Sequence, residues 1–534
     1  MAVQPPAGMP LRSYRLHRYV NAFCPHCHAE RPDAPLAEVA RLSGYLAEED
    51  GRVWLVRGCP RHGRVTTLYD ESPEILRYLE EWTAPTKAHV PDSPGNFEPA
   101  PAGYLNGLGE MQTQHTCVLL EDVVQDCNLR CPTCFADSAP GQGGVVPLTT
   151  VLTNVDQRLA RENGRLDVVM VSGGEPTLHP DLMALLSALA DRPVNRILLN
   201  TNGIRIAQDD GLLGFLRDQR DRVEVYLQYD GLRVETSRHH RGGDVVGLKE
   251  QAIDRLSAAG VFTTLTMTTA LGVNDDEIGA VVRRCLDTPY VSGVNIQPVF
   301  GSGRSAGIDP LDRLTHTGAL ARLGPQTDGL VDWQDLTALP CSHPHCCSVG
   351  YFIKTDADEW RSLTRIVGHD QLKQHLGLVS NRIGRYELTP QLTGLVKESL
   401  LGLLSDQASL AQPRVWQLLR DVCENCDLGM TTLVRLTGEL VVGSKRKSRQ
   451  LMADRVKRIS VKPFMDINTM IEERLTQCCV HVGTARDSAP GGGDAHQCAP
   501  FCAVQAWAPL GDQKLSRRAQ SVSLPLLSKS EAAR

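Results

Sequence analysis

Between Cys117 and about Phe300 the chain alternates short apolar runs with longer segments of helical spacing, and this alternation constrains the fold more than any other feature. CVLLEDVV, DVVMVSGGEP, NRILLNTNG, VEVYLQYDG, FTTLTMTTA and GVNIQPVF read as six strands. They are short and rich in β-branched residues, as buried strands are. Between them, segments such as HPDLMALLSALADRP and VGLKEQAIDRLSAAG space their apolar residues as a helix does and stop at Pro or Gly. Six β/α units imply a parallel sheet curled into an incomplete barrel. Functional residues are then expected at the C-terminal ends of the strands.

At 534 residues the chain is too long for one hydrophobic core. Residues 1–104 hold two cysteine knuckles and a linker whose Pro85, Pro91, Pro94, Pro99 and Pro101 interrupt helix and sheet alike. Residues 105–305 hold the β/α units. Residues 306–510 read as a third, mostly helical domain, as in TGLVKESLLGLLSDQ and INTMIEERLTQ, and residues 511–534 as a polar, disordered tail.

No apolar run is long enough to span a bilayer, and the N-terminus lacks the apolar core of a secretory signal. The cytoplasm is the expected location. A net charge of −6 argues against general nucleic-acid binding, which depends on clustered Lys and Arg. Seventeen cysteines, odd in number and grouped, in a chain without export signals read as metal ligands rather than disulfides.

The first strand runs into DCNLRCPTCFADS, which sets Cys127, Cys131 and Cys134 in a C-x3-C-x2-C loop. Most iron-sulfur clusters take four cysteines, so three on one loop leave one iron open to a substrate or cofactor. A structural zinc site is the rival reading, and it wants a fourth ligand close by.

The loop resembles that of the radical S-adenosylmethionine (SAM) superfamily, which carries this spacing in a partial (β/α)6 barrel, and the likeness covers residues 117–300. It implies a catalytic 4Fe-4S cluster on Cys127, Cys131 and Cys134, whose open iron takes the amino and carboxylate groups of SAM. Reductive cleavage then yields a 5′-deoxyadenosyl radical that abstracts hydrogen, and a low-potential electron donor is implied. Gly173, Gly174 and Glu175 of VSGGEP stand where the superfamily places its SAM-binding turn. Glycines admit a close backbone approach there, and Glu175 offers a carboxylate to the SAM ammonium. Asn202, Asp230 and Gln297 lie at later strand ends, where the superfamily gathers further SAM contacts. One departure is Thr133, where an aromatic residue often precedes the third cysteine.

Cys24 and Cys27 form CPHC, and Cys59 with His62 forms CPRHG, a spacing typical of a four-ligand mononuclear site for zinc or rubredoxin-like iron. His28 is a rival fourth ligand. Cys341, Cys346, Cys347, Cys423, Cys426, Cys478, Cys479, Cys498 and Cys502 number one more than two auxiliary 4Fe-4S clusters need, and two zinc sites are the alternative. Cys117 and Cys285 read as packing residues.

The full pattern, with CNLRCPTCFADS, GGEPTLHPDL, PCSHPHCC and KPFMDINTMIEERLTQCCVHV, is similar to one branch of the superfamily, that of tetraether lipid synthase and the methyltransferase acting on a hydroxymethyl-dihydropterin. The implied fold class is α/β: a radical SAM barrel between a small metal-knuckle domain and a helical auxiliary-cluster domain. The implied reaction is functionalisation of an unactivated C–H bond. The first expectation is C–C bond formation on lipid chains, with peripheral membrane contact left open; the second is C-methylation of a pterin-like or other small molecule. A basic stretch of Lys445, Arg446, Lys447, Arg449, Arg455, Lys457, Arg458 and Lys462 offers a site for headgroup phosphate or reads as a solvated face. From another class, an electron-carrying or redox-sensing iron-sulfur protein would have no use for the GGEP turn.

Overall fold

The computed structural model describes residues 14–31, 39, 41–82, 116–162, 164–339, 342–355, 357–370, 372–373, 445–484 and 497–507. The first unit is an antiparallel sheet of β1 (Arg15–Phe23), β2 (Arg41–Glu49), β3 (Arg52–Cys59) and β4 (Gly63–Asp70), paired in that order. Helix α1 (Pro25–Glu30) follows β1, and α2 (Pro73–Glu80) follows β4. The start of α2 is fixed by Ser72, whose side chain accepts the Ile75 N–H, and by Pro at the first turn. Its Ile75, Leu76 and Leu79 are buried.

All six expected strands are present: β5 (Val118–Val124), β6 (Leu166–Gly173), β7 (Val194–Thr201), β8 (Val223–Gln228), β9 (Thr263–Thr269) and β10 (Val291–Pro298). They pair in chain order and all in parallel. The crossovers carry α3 (Leu148–Arg161), α4 (Leu182–Ala190), α5 (Ile204–Gln208), α6 (Asp210–Asp218), α7 (Val234–Arg241), α8 (Val246–Ala258) and α9 (Ile278–Asp287). Leu, Ile and Val from strands and helices form one continuous core between the two layers, as a parallel sheet covered by helices requires.

Beyond residue 305 the described residues hold the helices His316–Ala321, Leu323–Gln326, Leu363–Val367 and Lys445–Arg455 together with strands that join the barrel sheet, and much of the stretch expected to be helical lies outside them. The strands are β11 (Thr337–Ala338), β12 (Ser348–Lys354), β13 (Trp360–Ser362), β14 (Val456–Val461), β15 (Val480–Thr484) and β16 (Gln497–Pro500). Strand β14 joins β10 in parallel and β15 joins β5 in parallel, so the sheet continues past both ends of the six-strand set. The helical pattern TGLVKESLLGLLSDQ lies outside the described residues, whereas INTMIEERLTQ holds α10 (Glu472–Thr476). A last helix, α11 (Phe501–Trp507), closes the described chain.

The N-terminal sheet packs on this assembly. Arg41 donates twice to Glu472 at 2.8 Å, and Thr67 Oγ1 donates to the Asn468 carbonyl at 2.7 Å. Phe23, Leu42, Leu46 and Leu55 share a core with Leu120, Phe300, Met465, Ile471 and Phe501.

Candidate active site and metal centre

Strand β5 ends in a loop that turns back on itself because Asp126 Oδ1 accepts the N–H groups of both Cys127 (3.0 Å) and Gly141 (2.8 Å). Cys127 and Cys131 are buried, Cys134 is half-buried, and all three line one cavity at the C-terminal ends of the strands. Burial, and after it the Glu175 carboxylate, pushes the Cys127 thiol up. The charge of a bound metal is what would turn such a thiol into a ligand thiolate.

The GGEP turn is wired to the cysteine loop. Gly174 N donates to the Val124 carbonyl at 2.6 Å and Glu175 N to that of Asp126 at 2.9 Å. Gly173 has φ +127°, and a Cβ there would lie 2.3 Å from the Val124 carbonyl oxygen; one on Gly174 would lie 2.2 Å from that of Asp126. Both glycines are therefore required by the approach of two backbones. Glu175 is buried, with Oε1 accepting from Thr177 N, Thr177 Oγ1 and Thr201 Oγ1 (3.0, 2.6 and 2.6 Å) and Oε2 from Asn202 N (2.8 Å). Its carboxylate ties β6 to β7 and keeps acceptor capacity on Oε2 toward the cavity it lines.

Asn202 and Gln297 line the same cavity. Asn202 Nδ2 donates to Asn128 Oδ1 at 2.6 Å, and Gln297 Nε2 to Tyr226 Oη at 3.0 Å. Asp230 does not line it. Its carboxylate takes two bonds from Arg241 at 2.6 and 2.5 Å, and although burial opposes it, this pairing holds Asp230 well below the usual carboxylate range. Arg241 carries the charge into the cavity, beside Cys131. Lys249, buried behind it, gives Nζ to the carbonyls of Asn202 and Gln228, and burial followed by the nearby Arg241 brings it down to about 8.

Arg241, Lys249, His240 and Arg304 escaped the sequence reading. His240 Nδ1 lies 3.0 Å from Thr133 Oγ1, so the residue that departs from the usual aromatic is anchored to α7. Arg304 donates to the Cys131 carbonyl (2.6 Å), Asp137 (2.7 Å) and the Ser138 carbonyl (2.7 Å). Gly303 packs so closely beneath the loop that a Cβ would lie 2.4 Å from the Cys134 carbonyl oxygen. The only sequence signals were a polar helix ending in Arg241 and the small-residue run GSGRS after β10.

At the far end of the first sheet, Cys24 and Cys27 bracket the start of α1, and Cys59 and His62 bracket the β3–β4 turn. Each of the three sulfurs lies 3.5 Å from His62 Nδ1, and those of Cys27 and Cys59 are 3.8 Å apart. A tetrahedral ion about 2.3 Å from sulfur and 2.0–2.1 Å from nitrogen produces such edges. His62 Nε2 meets Glu30 at 2.8 Å, leaving Nδ1 free to ligate. His62 thus completes a set of four atoms that could hold one ion, and His28 is not part of the group. Among the described residues, no other set of three or more His, Cys, Asp and Glu brings its ligand atoms within 4.8 Å of one another.

Of the C-terminal cysteines, Cys341, Cys423 and Cys426 lie outside the described residues, as does the side chain of Cys498. Cys346, Cys478 and Cys502 are mutual neighbours, and Cys347 neighbours Cys479 and Cys346. Arg474 Nε donates to Cys346 Sγ at 3.3 Å. Cys285 is buried in the barrel core as expected, and Cys117 is half-buried beside Cys479.

Among the described residues the basic stretch does not form one face. Lys457 is buried with Nζ donating to the carbonyls of Thr288 and Val291 (both 2.7 Å) and Ala453 (3.1 Å). The Arg449 guanidinium covers Phe262, and Lys462 enters the cavity; the side chains of Lys445, Arg446 and Lys447 lie outside the described residues.

Residues 123–285 match the Radical SAM superfamily, and residues 16–71 match the HMPTM N-terminal zinc ribbon domain. The chain is 22% identical to the 7,8-dihydro-6-hydroxymethylpterin dimethyltransferase of Methanocaldococcus jannaschii over 493 residues, 87% of this chain and 90% of that protein. It is 26% identical to the GTP 3′,8-cyclase of a Sulfurovum species over 170 residues, 31% of this chain and 50% of that one. Among solved structures, that of Streptococcus suis SuiB bound to S-adenosylmethionine matches with a TM-score of 0.30 at 16% identity, over 37% of this chain and 44% of that one. No described helix is long and apolar enough to cross a membrane. Residues 123–285 are thus a radical SAM domain, set on the parallel barrel with its three-cysteine loop wired to the GGEP turn, and residues 16–71 a zinc ribbon, which makes the chain a radical SAM enzyme.

Proposed function

We propose that this enzyme attaches a one-carbon unit to a pterin-like heterocycle. The observation that carries the reading is likeness along nearly the whole chain, zinc ribbon included, to a pterin dimethyltransferase. The cavity is compatible with it: Asn200, Tyr226, Gln228 and Gln297 offer hydrogen-bonding groups on a wall that is otherwise largely apolar, with Phe300 and Phe464 part of it. A long alkyl chain has little use for such hydrogen-bonding groups, and the described part of the basic stretch is dispersed rather than gathered for a headgroup. Lipid coupling therefore gives way to methylation.

In this reading Cys127, Cys131 and Cys134 hold the catalytic cluster, which when bound supplies an open iron for SAM and the electron that cleaves it to a 5′-deoxyadenosyl radical. Gly173, Gly174, Glu175, Asn202 and Gln297 shape the SAM site. Asp230 serves it through Arg241, whose guanidinium suits a carboxylate. Cys346, Cys478 and Cys502 belong to one auxiliary 4Fe-4S cluster and Cys347 with Cys479 to a second, with Cys341, Cys423, Cys426 and Cys498 as the remaining donors. Cys24, Cys27, Cys59 and His62 hold one zinc or iron ion. The working unit is residues 1–104, 105–305 and 306–510, with 511–534 as a tail, supplied by a low-potential electron donor in the cytoplasm.

The test is anaerobic incubation of the iron- and sulfide-reconstituted enzyme with methyl-labelled SAM, a strong reductant and 7,8-dihydro-6-hydroxymethylpterin. The expected result is 5′-deoxyadenosine together with a pterin heavier by one or two labelled methyl groups. An unchanged pterin, alongside altered lipids in expressing cells, overturns the reading.

A further inference from the structure

We propose that Lys462 is the residue that recognises substrate in this cavity, its ammonium binding an electron-rich oxygen of a planar heterocycle seated among the surrounding aromatic rings. The proposal rests on the substrate class proposed above and names the group that selects it.

Lys462 directly follows β14, and its N–H donates to the Ile296 carbonyl at 2.9 Å, so its main chain is fixed beside β10. Its side chain lines the cavity that Cys127, Cys131 and Cys134 also line. Every other cation there is already engaged. Arg241 is held by Asp230, and Lys249 behind it by two carbonyls. Lys457, five residues back in β14, has three carbonyl partners. Lys462, among the described residues, has neither an ion pair nor a side-chain hydrogen bond; its Nζ lies 5.5 Å from the centre of the Phe464 ring. A half-buried ammonium without an acceptor costs free energy, and a ligand oxygen would offset that cost.

The rings beside it define the ligand's shape. Phe464 lies 5.4 Å from Phe300 and 4.5 Å from Phe501, and Phe135 lies 5.7 Å from Phe501, centre to centre. Flat aromatic walls around one cation favour a flat guest with an electron-rich edge. Tyr226 and, once metal-bound as thiolates, Cys347, Cys478 and Cys479 are the other groups this ammonium could serve, and the test separates service to the cysteines from substrate binding.

Full-length enzyme reconstituted with iron and sulfide is dialysed anaerobically against 7,8-dihydro-6-hydroxymethylpterin. Lys462→Met is expected to bind it about tenfold or more weakly, the loss of one charge-assisted hydrogen bond, with Lys462→Arg retaining most of the affinity. Iron and sulfide content should match wild type in both variants. Equal binding by Lys462→Met overturns the lysine's role alone. Loss of iron from Lys462→Met overturns it in favour of service to the thiols. Failure of wild type to bind the pterin overturns the substrate class and the lysine's role with it.

Discussion

Arg304 Nε donates to the main-chain carbonyl of Cys131 at 2.6 Å, so the middle cysteine of the radical loop is held by a residue from beyond the last strand of the six-strand set. The same guanidinium reaches Asp137 and the Ser138 carbonyl, gathering both halves of the loop. Arg304→Ala should keep the fold, because Arg304 sits outside the core, but lose iron on desalting. Iron per chain and 5′-deoxyadenosine yield should both fall, the latter by about tenfold, as expected when a positioning contact is removed. Wild-type iron retention would assign the latch no role.

At the zinc ribbon, Glu30 orients His62 through a 2.8 Å contact. Glu30→Gln should weaken metal affinity by about 10–100-fold, as loss of an outer partner of a ligating histidine does. Cys59→Ser should abolish binding there. Metal analysis of the isolated protein with the radical loop cysteines replaced reads this site without interference from the catalytic cluster.

Asp230 and Arg241 form a buried pair. Removing one partner strands the other's charge, so Arg241→Met should destabilise the protein by about 3–5 kcal/mol. A double change, Asp230→Asn with Arg241→Met, should recover part of that loss in thermal melts while still failing to bind SAM. Normal SAM binding by the double variant would remove Arg241 from the site.

Glu121 on β5 is buried, with Asn154 donating to one oxygen and no partner for the other, and burial raises it to about 8. A carboxyl raised in the folded state supports folding fully below its unfolded pKa, and that support is lost as pH climbs through the folded value. Stability should therefore decline between about pH 4.5 and 8. Glu121→Gln should flatten this decline, matching wild type near pH 4.5 and melting higher at pH 8.5, by about 2–4 °C for each kcal/mol regained. Parallel melting curves at both pH values would refute the assignment.

Local patterns carried the barrel and its motifs: six β-branched runs, C-x3-C-x2-C, GGEP and the paired knuckles all lie where periodicity and spacing placed them. What escaped were relationships set by distant chain. Lys457 and Arg458 of VKRISV read as part of a basic stretch, yet the segment is β14, and Lys457 is buried with three carbonyls meeting its ammonium. Asp230 stands at a strand end as expected, but α7 presents Arg241 to its carboxylate and takes its place in the cavity. Nothing local distinguishes a carboxylate that meets a ligand from one that holds an arginine.

Strand β5 has β15 for a neighbour, and β10 has β14. A ribosome must release some 360 further residues after Val118 before that edge can be covered, since Val118 pairs with Val480. Until then the nascent barrel exposes two parallel edges, a state prone to wrong pairing. Excision of residues 105–305 would make that state permanent, and such a fragment should aggregate. The strands that complete the sheet are thus made long after the cysteine loop that follows β5, and the finished edge depends on the last part of the chain.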